Sequence, residues 1–194
     1  MSALIHIQFG MVGAVRPVNI PNIITVARTL LVPIVFWLVI AGHDIAAFTL
    51  FVIAGISDAL DGYLARRLDL RTELGAHLDP LADKLLIVSI FIALGMRGDV
   101  PSWLVITVVA RDILILIGIM LASMLGKPVT IAPLQISKMT TVAQISLAAL
   151  VLANAAFSLG LASGLIVVVW GTAVLTVASL IAYLRIWISH MSGE

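Results

Sequence analysis

The sequence predicts an all-α integral membrane protein, with six transmembrane helices behind an N-terminal interfacial amphipathic helix. Three observations carry this expectation. Of the 194 residues, 62% are hydrophobic and only 11% are charged, whereas a soluble domain carries roughly a quarter charged residues. The apolar residues fall into six stretches divided by short polar breaks, each near the ~20 residues that a bilayer core demands. The lysines and arginines collect on alternate connections between those stretches, as they do in chains threaded through a membrane.

Residues 1–20 read as the interfacial segment. The opening MSALIHIQFGMVGAV has no basic region ahead of its apolar run, so it makes a poor cleavable signal. A short helix lying in the membrane surface, ended by Arg16 and Pro17, suits it better.

The first span is expected at Ile23–Ala41, after the break Pro17–Pro21, and the second at Ala46–Leu64. The third is expected at Leu81–Leu94, and the fourth at Ser102–Met124, just after Pro101. The fifth and sixth cover Lys138–Ala156 and Leu161–Ile188. No internal repeat, low-complexity tract or long linker divides the chain, so residues 21–190 form one six-helix bundle and 1–194 a single membrane domain.

Orientation follows from the basic residues. Arg16, Arg66, Arg67, Arg71, Lys127, Lys138 and Arg185 fall on one side of a six-span chain, with Arg97 alone on the other. The positive-inside rule then puts both termini in the cytoplasm. With no cysteine, the chain can have no disulfide framework, thiolate nucleophile or zinc–thiolate centre. Its net charge of +1 makes no case for a nucleic-acid partner, and none is expected.

Six of the ten acidic residues, Asp58, Asp61, Glu73, Asp79, Asp83 and Asp112, lie in or beside apolar segments. A charge on a lipid-facing helix costs at least ~2.5 kcal/mol, so these carboxylates need a reason to be there. Asp58 and Asp61 stand at i, i+3 and Asp79 and Asp83 at i, i+4, which puts each pair on one helix face. The short connection between the second and third spans makes those helices expected antiparallel neighbours, with the pairs at similar depth near the cytoplasmic surface. Four converging carboxylates stay ionised in low dielectric only with a compensating cation. Oxygen donors select Mg²⁺, Mn²⁺ or Ca²⁺, and a pair of ions suits phosphoryl chemistry. His77 is the one histidine in this segment, and it reads as an interfacial polar residue.

Residues 58–83 run DALDGYLARRLDLRTELGAHLDPLAD. They satisfy D-x2-D-G-x2-A-R-x8-G-x3-D-x3-D at Asp58, Asp61, Gly62, Ala65, Arg66, Gly75, Asp79 and Asp83. This resembles the signature of the CDP-alcohol phosphotransferase (CDP-alcohol phosphatidyltransferase) family. The resemblance implies a metal-dependent transferase that moves a substituted phosphate from a CDP-linked donor to an alcohol and releases CMP. It also implies six transmembrane helices, usually in a homodimer. Carried over by position, Asp58, Asp61 and Asp79 resemble metal ligands. Asp83 resembles a further metal contact and the general base, a role that an alcohol of high pKa requires. Gly62 and Ala65 resemble the small residues that admit the nucleotide, and Gly75 a close-packing point. Arg66 resembles a diphosphate contact, and Asp61 borders the CDP site as well as the metal. The implied cofactor is Mg²⁺ or Mn²⁺, as two ions.

Further resemblance lies in NIPNIITVAR, where Asn22 and Thr25 stand against the CDP-donor pocket and Arg28 against the acceptor. Arg111, in VVARDILI, and Lys138, in ISKMTTVAQ, are the other expected acceptor contacts. Arg111 has a second reading as half of a neutralised ion pair with Asp112. Together these motifs resemble the branch that contains phosphatidylglycerophosphate synthases and CDP-dependent cardiolipin synthases. The first type usually has a second arginine eight residues after the first, and G-K-x-K-T. Here those positions hold Ile119 and Ile136-Ser137-Lys138-Met139-Thr140. An acceptor bearing a phosphate monoester wants more cationic donors than that. The expected reaction is therefore transfer from CDP-diacylglycerol to phosphatidylglycerol, with glycerol 3-phosphate as the alternative acceptor, in a bacterial inner membrane and facing the cytoplasm.

Two other classes suit the sequence less well. A Mg²⁺-dependent intramembrane prenyltransferase would need two separated aspartate-rich motifs. An ion-coupled transporter would place carboxylates near the bilayer midplane, with broken helices or inverted repeats. A purely structural ion-pair set among these aspartates, Arg66, Lys84 and Arg111 leaves Gly62, Ala65 and Gly75 unexplained. Trp37, Trp103, Trp170 and Trp187 lie mostly toward span ends, as an aromatic belt does.

Overall fold

Six helices follow one another, with no strand among the described residues: α1 (Ile20–Ile40), α2 (Asp44–Leu68), α3 (Glu73–Arg97), α4 (Ser102–Met124), α5 (Gln135–Phe157) and α6 (Ala162–Ser192). The structure is a computed structural model that describes residues 20–68, 73–124 and 135–192, with side chains described for 29–57, 84–118, 120–121, 124, 135–190 and 192. The expected interfacial helix thus falls outside the described residues.

α4 has the bounds expected from the sequence, and α1, α2, α5 and α6 agree with expectation to about a turn. α3 differs, because it begins at Glu73 rather than Leu81. Hydropathy marks where the apolar residues start, whereas the helix starts where backbone hydrogen bonding does. The polar turns that carry Asp79 are already helical.

Three described connections lie at one end of the bundle, and two close by the same device. His43 N–H donates to Leu38 C=O at 2.9 Å and Gly42 N–H to Val39 C=O at 3.2 Å, with Gly42 at φ 76°. After α3, Asp99 N–H donates to Leu94 C=O at 2.9 Å and Gly98 N–H to Gly95 C=O at 3.1 Å, with Gly98 at φ 81°. These are Schellman closures, in which a left-handed glycine lets the next amides satisfy carbonyls that the helix end leaves open. They turn α1 into α2 and α3 into α4 within a few residues.

Arg97 stands at this same end. Its guanidinium donates to Asp44 Oδ1 and to Val39 C=O at 2.9 Å, and its Nε forms an ion pair with Asp99 Oδ2 at 2.9 Å. One side chain thus ties the ends of α1 and α3 to the start of α2. Arg97, the lone lysine or arginine among the described residues at this end, is therefore paired with two carboxylates.

The core is built on α1, which packs against both α2 and α3, while α5 packs against α2, α3 and α6, and α4 against α3 and α6. Val35, Val39, Ile90, Phe91, Leu104 and Leu147 are fully buried in it. Among the described residues α1 and α5 each pack against both α2 and α3; the expected approach of α2 to α3 near Asp58, Asp61, Asp79 and Asp83 involves side chains outside the described set.

The outer surface is apolar, with Met124 82% and Val167 72% exposed, which is surface that a soluble monomer rarely leaves open to water. Among the described residues, α5 and the stretch Ala162–His190 of α6 are long and apolar enough to cross a membrane. α1 and α2 contribute the shorter apolar stretches Thr29–Ile40 and Asp44–Ser57.

Candidate metal and phosphate site

The four signature aspartates lie on the two helices that flank residues 69–72. Asp58 and Asp61 belong to α2, and Asp79 and Asp83 to α3. Counted along the helix axes at 1.5 Å per residue, Asp61 and Asp79 lie about 9–11 Å from the Leu68 and Glu73 ends, and Asp58 and Asp83 about 15 Å. The helix register therefore sets the two pairs at matching distances from their shared end. Gly62, Ala65 and Arg66 share α2 with the first pair, and Gly75 shares α3 with the second. Asn22, Thr25 and Arg28 lie on α1. The side chains of all these residues are outside the described set. Four carboxylates make a hard-oxygen donor set, which fits Mg²⁺ or Mn²⁺. Among the described residues no group of three or more His, Cys, Asp or Glu could hold an ion.

Beside Asp83, the described side chains begin with Lys84, whose Nζ lies 3.4 Å from Asp112 Oδ1 on α4. Asp112 in turn accepts from Arg111 Nη1 at 2.5 Å. Arg111 Nη2 donates to Ser137 Oγ on α5 at 2.6 Å and to Ser179 Oγ on α6 at 2.7 Å. The guanidinium also lies 5.8 Å from the centre of the Tyr183 ring. Arg111 is 2% exposed, so three helices, α4, α5 and α6, meet on one buried cation, and α3 joins them through Lys84 on Asp112. The planar fork of arginine suits this, because it places separate donors in fixed directions.

The network shows what Arg111 does in the fold. Both terminal nitrogens are engaged, and only Nε is without a protein partner. To reach an acceptor through Nη1 or Nη2, Arg111 would have to release Asp112 or a serine. Lys138, expected to act with it, is exposed one position beyond Ser137 in the first turns of α5.

A polar seam continues from this point between α5 and α6. Thr140 Oγ1 donates across the interface to Leu175 C=O at 3.0 Å, besides Ile136 C=O at 2.8 Å. Deeper in the seam, Gln144 Nε2 and Thr172 Oγ1 are buried without a protein partner. On the far side of Tyr183 the helices separate into an apolar groove of about 170 Å³, lined by Leu114, Gly118, Leu121, Leu180, Tyr183 and Trp187 among others. Trp187 Nε1–H donates to Gly118 C=O at 3.0 Å within it, so this tryptophan does more than mark an interface.

Sequence reasoning singled out Arg111 and Lys138 but missed Ser137 and Ser179 as partners, and weighed Lys84 only as a structural cation. The position of Lys84, next to Asp83, was the available signal. Nothing local pointed to the serines.

Residues 18–184 match the family model described as CDP-alcohol phosphatidyltransferase. The chain is similar to the CDP-diacylglycerol–glycerol-3-phosphate 3-phosphatidyltransferase of Bacillus subtilis, 37% identical over 157 residues, covering 73% of this chain and 80% of the relative. It is also similar to the chloroplastic enzyme 1 of that name from Oryza sativa subsp. japonica, 33% identical over 189 residues, covering 88% of this chain and 57% of the relative. A CMP-forming cardiolipin synthase of Streptomyces coelicolor is 38% identical over 124 residues, covering 60% of this chain and 58% of the relative. The chain therefore spans little more than half the length of two of these three curated relatives.

Proposed function

Because the chain belongs to the CDP-alcohol phosphatidyltransferase family, we propose that it transfers the phosphatidyl group of CDP-diacylglycerol to the free hydroxyl of phosphatidylglycerol and releases CMP. The observation that carries this reading is the paired register of Asp58 and Asp61 on α2 with Asp79 and Asp83 on α3, inside a fully matched eight-position pattern. The whole bundle crosses the membrane six times as a homodimer, with the aspartates toward the cytoplasm. The exposed apolar surface and the neutralised Arg97 at the opposite end support that orientation.

Mg²⁺ or Mn²⁺, as two ions held by the four aspartates, supplies neutralisation of the donor's diphosphate when bound. Arg66 adds a charge-assisted contact to the same group. Gly62 and Ala65 leave room for the nucleotide against α2, Gly75 allows close packing on α3, and Asn22 and Thr25 line the donor pocket from α1. Asp83 accepts the proton of the acceptor hydroxyl. The oxygen then bonds to the phosphorus that carries diacylglycerol, and the bond from that phosphorus to CMP breaks, with the bridging oxygen leaving on CMP. The acceptor's phosphate faces Arg28 and Lys138, and Arg111 supports this wall from behind. The α4–α6 groove offers apolar lining for a lipid chain.

A second reading has glycerol 3-phosphate as acceptor, favoured by the names of the Bacillus and rice relatives. One assay separates the two. Purified protein with Mn²⁺ or Mg²⁺ and labelled CDP-diacylglycerol is given phosphatidylglycerol or glycerol 3-phosphate. CMP release with phosphatidylglycerol, and label in a four-chain lipid, is the expected result. Release with glycerol 3-phosphate alone would replace the acceptor, and release with neither would remove the proposal.

A further inference from the structure

We infer that Lys84 is a contact for the phosphate of the acceptor, and that Asp112 and Arg111 are positioning residues that hold it. This rests on the transferase reading above but not on which acceptor is used. The argument begins with connectivity. Lys84 directly follows Asp83 on α3, so its backbone is fixed to that of the proposed base. Its ammonium is not free to wander, because Asp112 Oδ1 on α4 lies 3.4 Å away. Asp112 cannot follow a moving lysine, because Arg111 holds the same oxygen at 2.5 Å. Arg111 is itself held by Ser137 at 2.6 Å and Ser179 at 2.7 Å. The chain of contacts thus ties the head of a lysine that adjoins the proposed base in sequence to α4 and, through Arg111, to α5 and α6.

Exposure separates the two cations. Arg111 is 2% exposed and its terminal nitrogens are spoken for. The Lys84 side chain is 40% exposed, and among the described residues its one long contact, to Asp112, leaves other N–H donors unused. An ammonium has three donors. Of the two cations on Asp112, Lys84 is therefore the one able to meet a ligand.

Charge points to what the ligand is. Among the described side chains, Arg111 and Lys84 share the single carboxylate of Asp112, so these three groups together carry one formal positive charge more than they neutralise. A purely structural ion pair would balance. A surplus cation held next to a proposed base, within a helix bundle, fits an anionic substrate group. Of the groups in the reaction, the donor's diphosphate is assigned to Arg66 and the four aspartates, so Lys84 joins Arg28 and Lys138 on the acceptor's phosphate. That chemistry is shared by phosphatidylglycerol and glycerol 3-phosphate.

Full-length Lys84→Met, Lys84→Arg, Asp112→Asn and the double variant Lys84→Met/Asp112→Asn are compared with the parent protein by steady-state CMP release, with both acceptors. Lys84→Met is expected to raise the acceptor KM by about tenfold or more while kcat and the CDP-diacylglycerol KM stay within about threefold. Lys84→Arg should restore most of the loss. Asp112→Asn should reproduce the acceptor defect, and the double variant should be no worse than the worse single one, because the two act through one contact. A rise in the donor KM in place of the acceptor KM, or additive losses, would overturn the inference. The acceptor that the parent protein uses tests the acceptor assignment separately, since the Lys84 effect is read on whichever one turns over. An independent readout needs no turnover: Lys84→Met, which removes an exposed cation and leaves the buried pair, should retain less phosphatidylglycerol through detergent washing, and equal retention counts against the inference.

Discussion

Arg111 donates from α4 to Ser179 Oγ on α6 at 2.7 Å, with both side chains buried. The same guanidinium reaches Asp112 and, on α5, Ser137. Removing it would leave Asp112 buried with only the long contact to Lys84. Arg111→Met is therefore expected to destabilise the bundle by about 3–5 kcal/mol, the cost of breaking a buried pair from one side. Arg111→Lys should recover little, because a single ammonium cannot address three partners in a fork. Thermal unfolding in detergent, followed by tryptophan fluorescence, reads both; a lysine variant as stable as the parent would show that the fork is not needed.

The carboxylates on α2 and α3 have different expected roles. Asp83→Asn removes the base, and transfer should fall by about 10²–10⁴-fold while much of the CDP-donor binding persists. Asp58→Asn removes a ligand remote from the hydroxyl, so metal and donor affinity should weaken together. Isothermal titration with Mn²⁺ and a CDP ligand, beside single-turnover kinetics, separates the two effects. Equal loss of donor affinity in both variants would mean that Asp83 does not act chiefly as a base.

Gly95 on α3 marks a close helix approach that can be tested by one methyl group. A Cβ at Gly95 would lie 2.7 Å from Val105 Cγ2 on α4, well inside carbon contact distance. Valine is stiff at χ1, so the helices must shift. Gly95→Ala should cost about 1–3 kcal/mol of stability, as overpacking does, and Val105→Ala in the same chain should restore part of it. If Gly95→Ala alone unfolds no earlier than the parent, α3 and α4 are not this closely apposed.

The elements that the sequence revealed are those set by local signals. Pro101 and the polar break before it mark the start of α4, and the apolar run to Met124 marks its length. The aspartate pairs were legible because i, i+3 and i, i+4 spacing is itself a statement about helix faces. The start of α3 was not, since Glu73–Leu78 lacks the hydropathy by which spans are recognised. Nor was the Arg111 network, whose serine partners lie 26 and 68 residues away in the chain. Serines at such separations carry no periodic signature, and only packing of α4 against α6 and α5 against α6 brings them together. The adjacency of Arg111 and Asp112 did suggest a neutralised pair, and the structure has that pair, extended by Lys84.

Arg97 supplies the last expectation, at the end of the bundle away from the aspartates. It donates to Asp44 and Val39 C=O and pairs with Asp99. The hydrogen bond to Asp44 raises its pKa above the ordinary guanidinium range, partly offset by burial, with the charges of Asp99 and Asp44 adding to the rise. A cationic group whose folded-state pKa is raised stabilises fully below its unfolded-state value and loses that contribution only as pH climbs through the folded one. Both lie far above neutrality, so Arg97 gives no pH dependence to stability between about pH 6 and 9. Asp44→Asn keeps a hydrogen-bond acceptor but removes the charge, and should destabilise by about 1–2 kcal/mol, discounted for partial exposure. Because Arg97 and the site lie at different ends of α3, the acceptor and donor KM should be unchanged. Paired measurement of unfolding and KM decides it: a shift in KM without loss of stability would place Asp44 in communication with the site, contrary to a local clamp.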